Sequence, residues 1–177
     1  ILAQTYRDFR FLIVDDASTD DTREIVDSYQ DDRIEVLPLE KNVGQSAALN
    51  VGLHHASTPW IARMDDDDYS APNRLEVQMG TLKADPSLSC LGTYAWAFRD
   101  DPQVVDAKIT TPLDFEEIRN TVLGTPMVHG TIVVNREAII KVGGYREDYP
   151  IAADVEMYDR LFAEYKGATI PVALLGV

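Results

Sequence analysis

An α/β fold, with a mostly parallel central sheet flanked by helices, is predicted for this chain by three observations. Apolar runs suited to strands alternate three times with helical segments between residues 10 and 83. The first run, residues 10–14, is almost continuously apolar, the pattern of a strand covered on both faces. Two of the runs end in acid, at Asp15-Asp16 and at Asp65-Asp66-Asp67-Asp68, and open α/β sheets bind ligands beyond the carboxyl ends of their strands. The two acidic clusters are therefore expected to meet in space.

Each element has its own signal. Ser18 or Thr19 is placed to cap the first helix, which carries Asp20 and Asp21 in its first turn, where the helix dipole favours negative charge, and runs to about Tyr29. Residues 34–39 form the second strand, and the turn Asn42-Val43-Gly44 leads into a helix through Ala47, Ala48, Leu49, Gly52 and Leu53. Residues 60–64 form the third strand. Pro72 opens a helix to about Lys83, which Ala84-Asp85-Pro86 stops. The second half is more irregular: a strand over 88–98, an acidic loop through Asp106, a helix over 113–123 and an apolar strand over 131–134. A helix begun near Glu137 breaks at Gly143-Gly144-Tyr145, and residues 155–165 are amphipathic with Asp154 at their start.

Composition excludes several classes. At 177 residues the chain reads as a single domain, large enough to bury about 70% of its unfolded surface. Hydrophobic residues make up 45% and charged residues 26%, ordinary values for a globular protein. The net charge of −14 and the lack of Lys and Arg clusters argue against nucleic acid, whose phosphates require them. Cys90, the single cysteine, excludes an internal disulfide framework, fits a reducing compartment and reads as a small core residue. No apolar run approaches the ~20 residues of a membrane span, and no basic-then-apolar signal opens the chain, so a cytoplasmic location is expected.

The most informative stretch is Trp60-Ile61-Ala62-Arg63-Met64-Asp65-Asp66-Asp67-Asp68-Tyr69, a short strand that stops in four carboxylates. At ~4 Å and an effective dielectric of ~20, two like charges repel by about 4 kcal/mol, so such a cluster raises a pKa or binds a cation. Alternation along an extended segment puts Asp65 and Asp67 on one face, a geometry for a divalent ion. An acidic surface loop is the plain alternative. An EF-hand starting at Asp65 fails at Tyr69, Ser70 and Pro72, and a response-regulator receiver leaves residues 65–68 without a role. His54 and His55 have no Cys or Glu at metal spacing and read as surface or packing residues. His129, after Gly124-Thr125-Pro126-Met127-Val128, either lines the cleft or hydrogen-bonds within a loop. Asp154 needs no explanation beyond a helix N-cap, yet at the mouth of an acidic, metal-bearing cleft it also suits a general base. No Gly-x-Ser-x-Gly elbow, P-loop or Gly-x-Gly-x-x-Gly motif occurs, which sets aside serine hydrolases, ATPases and dehydrogenases.

Taken together, the segments resemble the inverting family 2 glycosyltransferases of the GT-A fold, a Rossmann-like nucleotide-diphospho-sugar transferase fold, over nearly the whole chain. The matching residues are Gln4-Thr5-Tyr6, Ile13 through Thr22, Asn42-Val43-Gly44 with Ala48-Leu49-Asn50-Val51-Gly52, Met64 through Asp68, His129-Gly130-Thr131, Gly143-Gly144-Tyr145-Arg146-Glu147 and Asp154 through Leu161. The resemblance implies that Asp16 recognises the nucleotide base, that Asp65 and Asp66 contact the nucleotide sugar, and that Asp67 holds Mg²⁺ or Mn²⁺. Asp154 would be the catalytic base. It implies a metal-dependent transferase of hexosyl type, moving a sugar from a UDP-sugar to a saccharide or lipid-linked acceptor in cell-surface polysaccharide synthesis. Residues 1–86 would then be the nucleotide-sugar half and residues 87–177 the acceptor half, with peripheral rather than spanning membrane association and no nucleic-acid partner. A non-catalytic nucleotide-sugar-binding module is the alternative. Two departures bear on it: Ala153 stands where the family usually has Glu, and the family's first strand precedes Gln4-Thr5-Tyr6. An additional upstream strand is expected to lie between residues 10–14 and 60–64, and its addition to raise stability and nucleotide affinity.

Overall fold

A computed structural model describes residues 1–121, 124–149 and 151–177. The chain runs β1 (Phe11–Asp15), α1 (Thr22–Asp27), β2 (Ile34–Pro38), α2 (Gln45–His55), β3 (Trp60–Ala62), β4 (Tyr69–Ser70) and α3 (Arg74–Ala84). It continues through β5 (Leu88–Ala97), β6 (Ala107–Ile109), α4 (Phe115–Arg119), a 3-10 turn (His129–Thr131), β7 (Val133–Asn135), α5 (Arg136–Lys141), α6 (Ala153–Glu164) and β8 (Lys166–Gly176). Two sheets result. β1 and β2 pair in parallel from Phe11 with Ile34 to Asp15 with Pro38, while the larger sheet has the order β3-β7-β5-β8-β4, with β6 on β5.

The α/β class is as expected, but the larger sheet is mixed rather than mostly parallel. Only β5 with β8 is parallel there among the described residues; β3 with β7, β4 with β8, and β5 with both β6 and β7 are antiparallel. Apolar runs report burial on both faces, and a central antiparallel strand under helices meets that condition as well as a parallel one. Conversely, β1 is not buried on both faces. All five of its residues are partly exposed, and β1 and β3 both line a cleft of 1330 Å³.

Local boundaries differ for identifiable reasons. Neither Ser18 nor Thr19 caps α1; Asp21 stands at its N-cap, and the Ser18 N–H instead donates to Asp15 Oδ1 at 2.9 Å. α3 begins at Arg74 rather than Pro72, whose carbonyl accepts the Thr5 N–H at 2.7 Å. Asp154 is not the N-cap of α6, because Ala152 takes that position with φ 57°. α4 is shorter than residues 113–123, with Asp114 as a capping acceptor for the Glu117 N–H, and the expected end at Leu123 lies outside the described residues. β8 has no counterpart among the expected elements: Pro171 interrupts its pattern, and the pairing passes from Thr93 with Ile170 to Tyr94 with Ala173, so Pro171 and Val172 bulge out.

The core lies between the larger sheet and the helices. α6 buries Met157, Tyr158, Leu161 and Phe162, a spacing that keeps one helical face inward, and each large apolar side chain so covered contributes about 1.5–3 kcal/mol. Cys90 on β5 is fully buried, as expected, and burial pushes its thiol well above the ordinary range. Among the described residues no helix is long and apolar enough to cross a membrane.

Candidate active site

The acidic run leaves β3 at the rim of the cleft, and there its side chains converge. Oxygens of Asp65, Asp67 and Asp68 lie within 4.8 Å of one another. The Asp65 N–H donates to Asp68 Oδ2 at 3.0 Å. Burial first, and the Asp65 and Asp67 charges after it, push the Asp68 carboxyl up, while that hydrogen bond and Arg63 oppose them. Clustered carboxylate oxygens are the hard donor set that Mg²⁺ and Mn²⁺ take, so these residues fit such an ion. The sequence places the ion on Asp67; the turn also folds Asp68 back onto the Asp65 backbone, beside it.

Protein cations already stand beneath the run. Arg63 forms a two-pronged ion pair with Asp65. Arg74 is 1% exposed; its Nη2 donates to the Arg63 carbonyl at 2.7 Å and its Nε to Gln78 Oε1 at 3.1 Å. Burial draws its guanidinium down to about 10, against the opposing charge of Asp68. Gln4, from the resemblance's opening motif, is a structural pin: it is 1% exposed, its Nε2 donates to the Ala71 carbonyl at 2.6 Å and its Oε1 accepts the Leu75 N–H at 2.9 Å.

Asp15, Asp16, Asp65 and Asp66 all line the same cleft, so the two acidic clusters share one space. The Asp16 carboxylate accepts the Val43 N–H at 2.7 Å and the Gly44 N–H at 2.9 Å. It thereby anchors the start of α2, whose N-cap Gly44 has φ 87°, a conformation suited to glycine. Asp66 is exposed at the rim.

Asp154 lies in the first turn of α6, partly buried. Burial first raises the hydroxyl of Tyr145, and the Asp154 and Asp65 charges both add to that shift, so the acidic run and the candidate base act on one tyrosine. His129 settles between its two readings: Nε2 sits 2.8 Å from the Tyr145 hydroxyl, and the ring packs edge-on against Tyr145 and Tyr158. Burial and then the Arg63 charge pull its pKa down to about 3, so it is neutral at pH 7. Asn50 of α2 clasps Tyr145 from the other side, donating to its carbonyl and accepting its N–H, both at 2.8 Å. That closeness requires Gly144, with φ 64°, where a Cβ would meet Asn50 Oδ1 at 2.6 Å. Arg160 of α6 donates from Nη2 to the Gly144 carbonyl at 2.7 Å, tying the same loop to the helix of Asp154.

Gly130 supplies a test of the acidic cluster. A Cβ there would overlap Asp68 Oδ2 and stand 2.7 Å from Leu175 Cδ2. Gly130→Ala is expected to lose about 1–3 kcal/mol of stability from overpacking and to displace the Asp68 carboxylate. Calorimetry of Mn²⁺ binding beside a thermal melt checks this; a variant with native metal affinity would show that Asp68 is not needed there.

Comparison with known proteins follows the same line. The family description Glycosyl transferase family 2 matches residues 1–143, and the chain belongs to that family. EpsE of Bacillus subtilis, named as a glycosyltransferase, is 34% identical over 183 residues, covering 100% of this chain and 65% of that protein. The amylovoran biosynthesis glycosyltransferase AmsE of Erwinia amylovora is 31% identical, over 64% of this chain and 44% of its own length. The chain thus spans less than two thirds of these relatives. Among solved structures, Staphylococcus aureus TarS in complex with UDP superposes with a TM-score of 0.79 at 19% identity, covering 99% of this chain and 53% of that one. The mannosyltransferase PcManGT of Pyrobaculum calidifontis, in complex with GDP-mannose and Mn²⁺, gives 0.72 at 22% identity, over 99% and 50%. The fold is that of the GT-A glycosyltransferases.

Proposed function

We propose that this chain carries the catalytic centre of an inverting, metal-dependent glycosyltransferase that moves a hexosyl group from a UDP-sugar to a hydroxyl of a saccharide or lipid-linked acceptor. The observation that carries the reading is the convergence of three carboxylates within 4.8 Å at the end of β3, beside a cleft bordered by a second acidic pair. Asp67 would hold Mg²⁺ or Mn²⁺, and the ion when bound would supply positive charge to offset that of the donor diphosphate. Asp65 and Asp66 would accept from the sugar hydroxyls of the nucleotide, and Asp16 would recognise the base from the start of α2. Asp154 would take the proton of the acceptor hydroxyl; as that oxygen bonds to the anomeric carbon, the bond to the diphosphate breaks and configuration inverts.

Relatives support the setting. WfgD of Escherichia coli, 36% identical over 53% of this chain and 37% of its own length, is named for UDP-glucose as donor and a diphosphoundecaprenol-linked sugar as acceptor. Together with AmsE it supports a role in cell-surface polysaccharide synthesis, at the membrane surface rather than through it. The cytoplasm is the proposed compartment, a reducing one that suits the buried thiol of Cys90. Ala153, which opens α6 where the family usually has Glu, favours the second reading, a nucleotide-sugar-binding module without transfer. UDP titration with and without Mn²⁺ tests the shared part: affinity should rise sharply with the ion, and equal affinity in its absence would refute the metal-dependent reading. Sugar transfer by the same protein separates the enzyme from the module.

A further inference from the structure

Arg63 lies immediately before the acidic run, and its surroundings are more constrained than a surface ion pair requires. The residue is 7% exposed. Its backbone is fixed on both sides, the N–H donating to the Ile132 carbonyl at 3.0 Å and its own carbonyl accepting from Arg74 Nη2 at 2.7 Å. Nη1 and Nη2 each donate to a different oxygen of Asp65, the parallel fork that a planar guanidinium forms and an ammonium cannot. Nε is buried with no partner, and Asp65 is the one carboxylate within ion-pair distance among the described residues.

Two physical consequences follow. A buried cation stripped of its anion is strongly unfavourable, so Asp65 stays on Arg63 and its negative charge is largely spent there, which weakens its pull on a second cation. The fork occupies one lone-pair direction on each Asp65 oxygen and leaves the others able to accept from hydroxyl donors. We infer that Arg63 is a positioning residue that divides the acidic run, withholding Asp65 from the metal and presenting it to sugar hydroxyls of the nucleotide, while Asp67 and Asp68 are left to the ion. This inference rests on the proposed metal-dependent nucleotide binding and adds to it the residue that holds Asp65 to its part, with Asp68 as a second carboxylate for the ion. Asp68 is suited to its part because its Oδ2 is held by the Asp65 N–H at 3.0 Å, within the same cluster of oxygens.

The experiment is calorimetric titration of Mn²⁺ alone, then of UDP at saturating Mn²⁺, on the unaltered chain, Arg63→Met and Arg63→Lys. Removing a positive charge from beside the carboxylate cluster, and freeing a carboxylate, should tighten Mn²⁺ binding in Arg63→Met by about tenfold, while UDP binding weakens by a similar factor. Arg63→Lys keeps the charge and loses the fork, so Mn²⁺ affinity should stay within about threefold and UDP affinity should fall. A merely structural role would weaken both ligands together. Unchanged or weaker Mn²⁺ binding in a folded Arg63→Met overturns the assignment, and so does native UDP affinity in Arg63→Lys, a check that stands if Arg63→Met fails to fold. If UDP binding to the unaltered chain is indifferent to Mn²⁺, the proposed function fails and takes this division with it; if it is metal-dependent and only the Arg63 variants disagree, the role of Arg63 alone is lost.

Discussion

Asp154→Asn should bind a UDP-sugar with unchanged affinity and transfer it 10²- to 10⁴-fold more slowly, the range typical of removing a general base. Asparagine keeps the shape of the side chain and cannot accept the hydroxyl proton. The fold should tolerate the change, because Asp154 is neither the N-cap of α6 nor one of its four buried residues. Loss of the carboxylate at a helix N-terminus costs only about 0.3–1 kcal/mol. Rate assays at saturating donor beside a binding titration decide the matter. Transfer at the original rate would reduce Asp154 to a favourable charge in the first turn.

Asp67→Asn is expected to abolish the Mn²⁺ dependence of UDP binding while leaving the melting temperature close to that of the unaltered chain. Asp67 is the exposed member of the trio that also contains Asp65 and Asp68, so its loss opens no cavity. A neutral amide oxygen contributes far less to a hard divalent ion than a carboxylate does. Paired titrations with Mn²⁺ and with chelator read the effect directly, and retained metal dependence would show that the ion is held without Asp67.

Most elements were legible because burial imposes a period on the sequence. The apolar runs of β1, β2, β3 and β5, and the capped helices α4 and α5, fall within a few residues of their expected places. β8 escaped because Pro171 reads as a strand breaker, whereas the bulge at Pro171 and Val172 lets the strand pass through it. β4 and β6, two and three residues long, carry too little pattern to be read. Within the site, the acid of residues 65–68 is visible locally, since four adjacent carboxylates need no fold to be noticed. The contact between Gly130 and Asp68, separated by 62 positions, and the clasp of Asn50 on Tyr145, separated by 95, depend on tertiary placement. Arg63 is a middle case: it adjoins the run, yet only the structure shows that its charge turns inward.

α2 is shared between the two ends of the site. Asp16 holds its start through the Val43 and Gly44 N–H groups, while Asn50 clasps Tyr145 and the Leu53 carbonyl accepts from Arg136 Nε at 2.8 Å. Each such bond contributes about 0.5–1.5 kcal/mol. The helix is therefore a common rod: a substitution that displaces it moves the support of Asp16 and the loop of Tyr145 together.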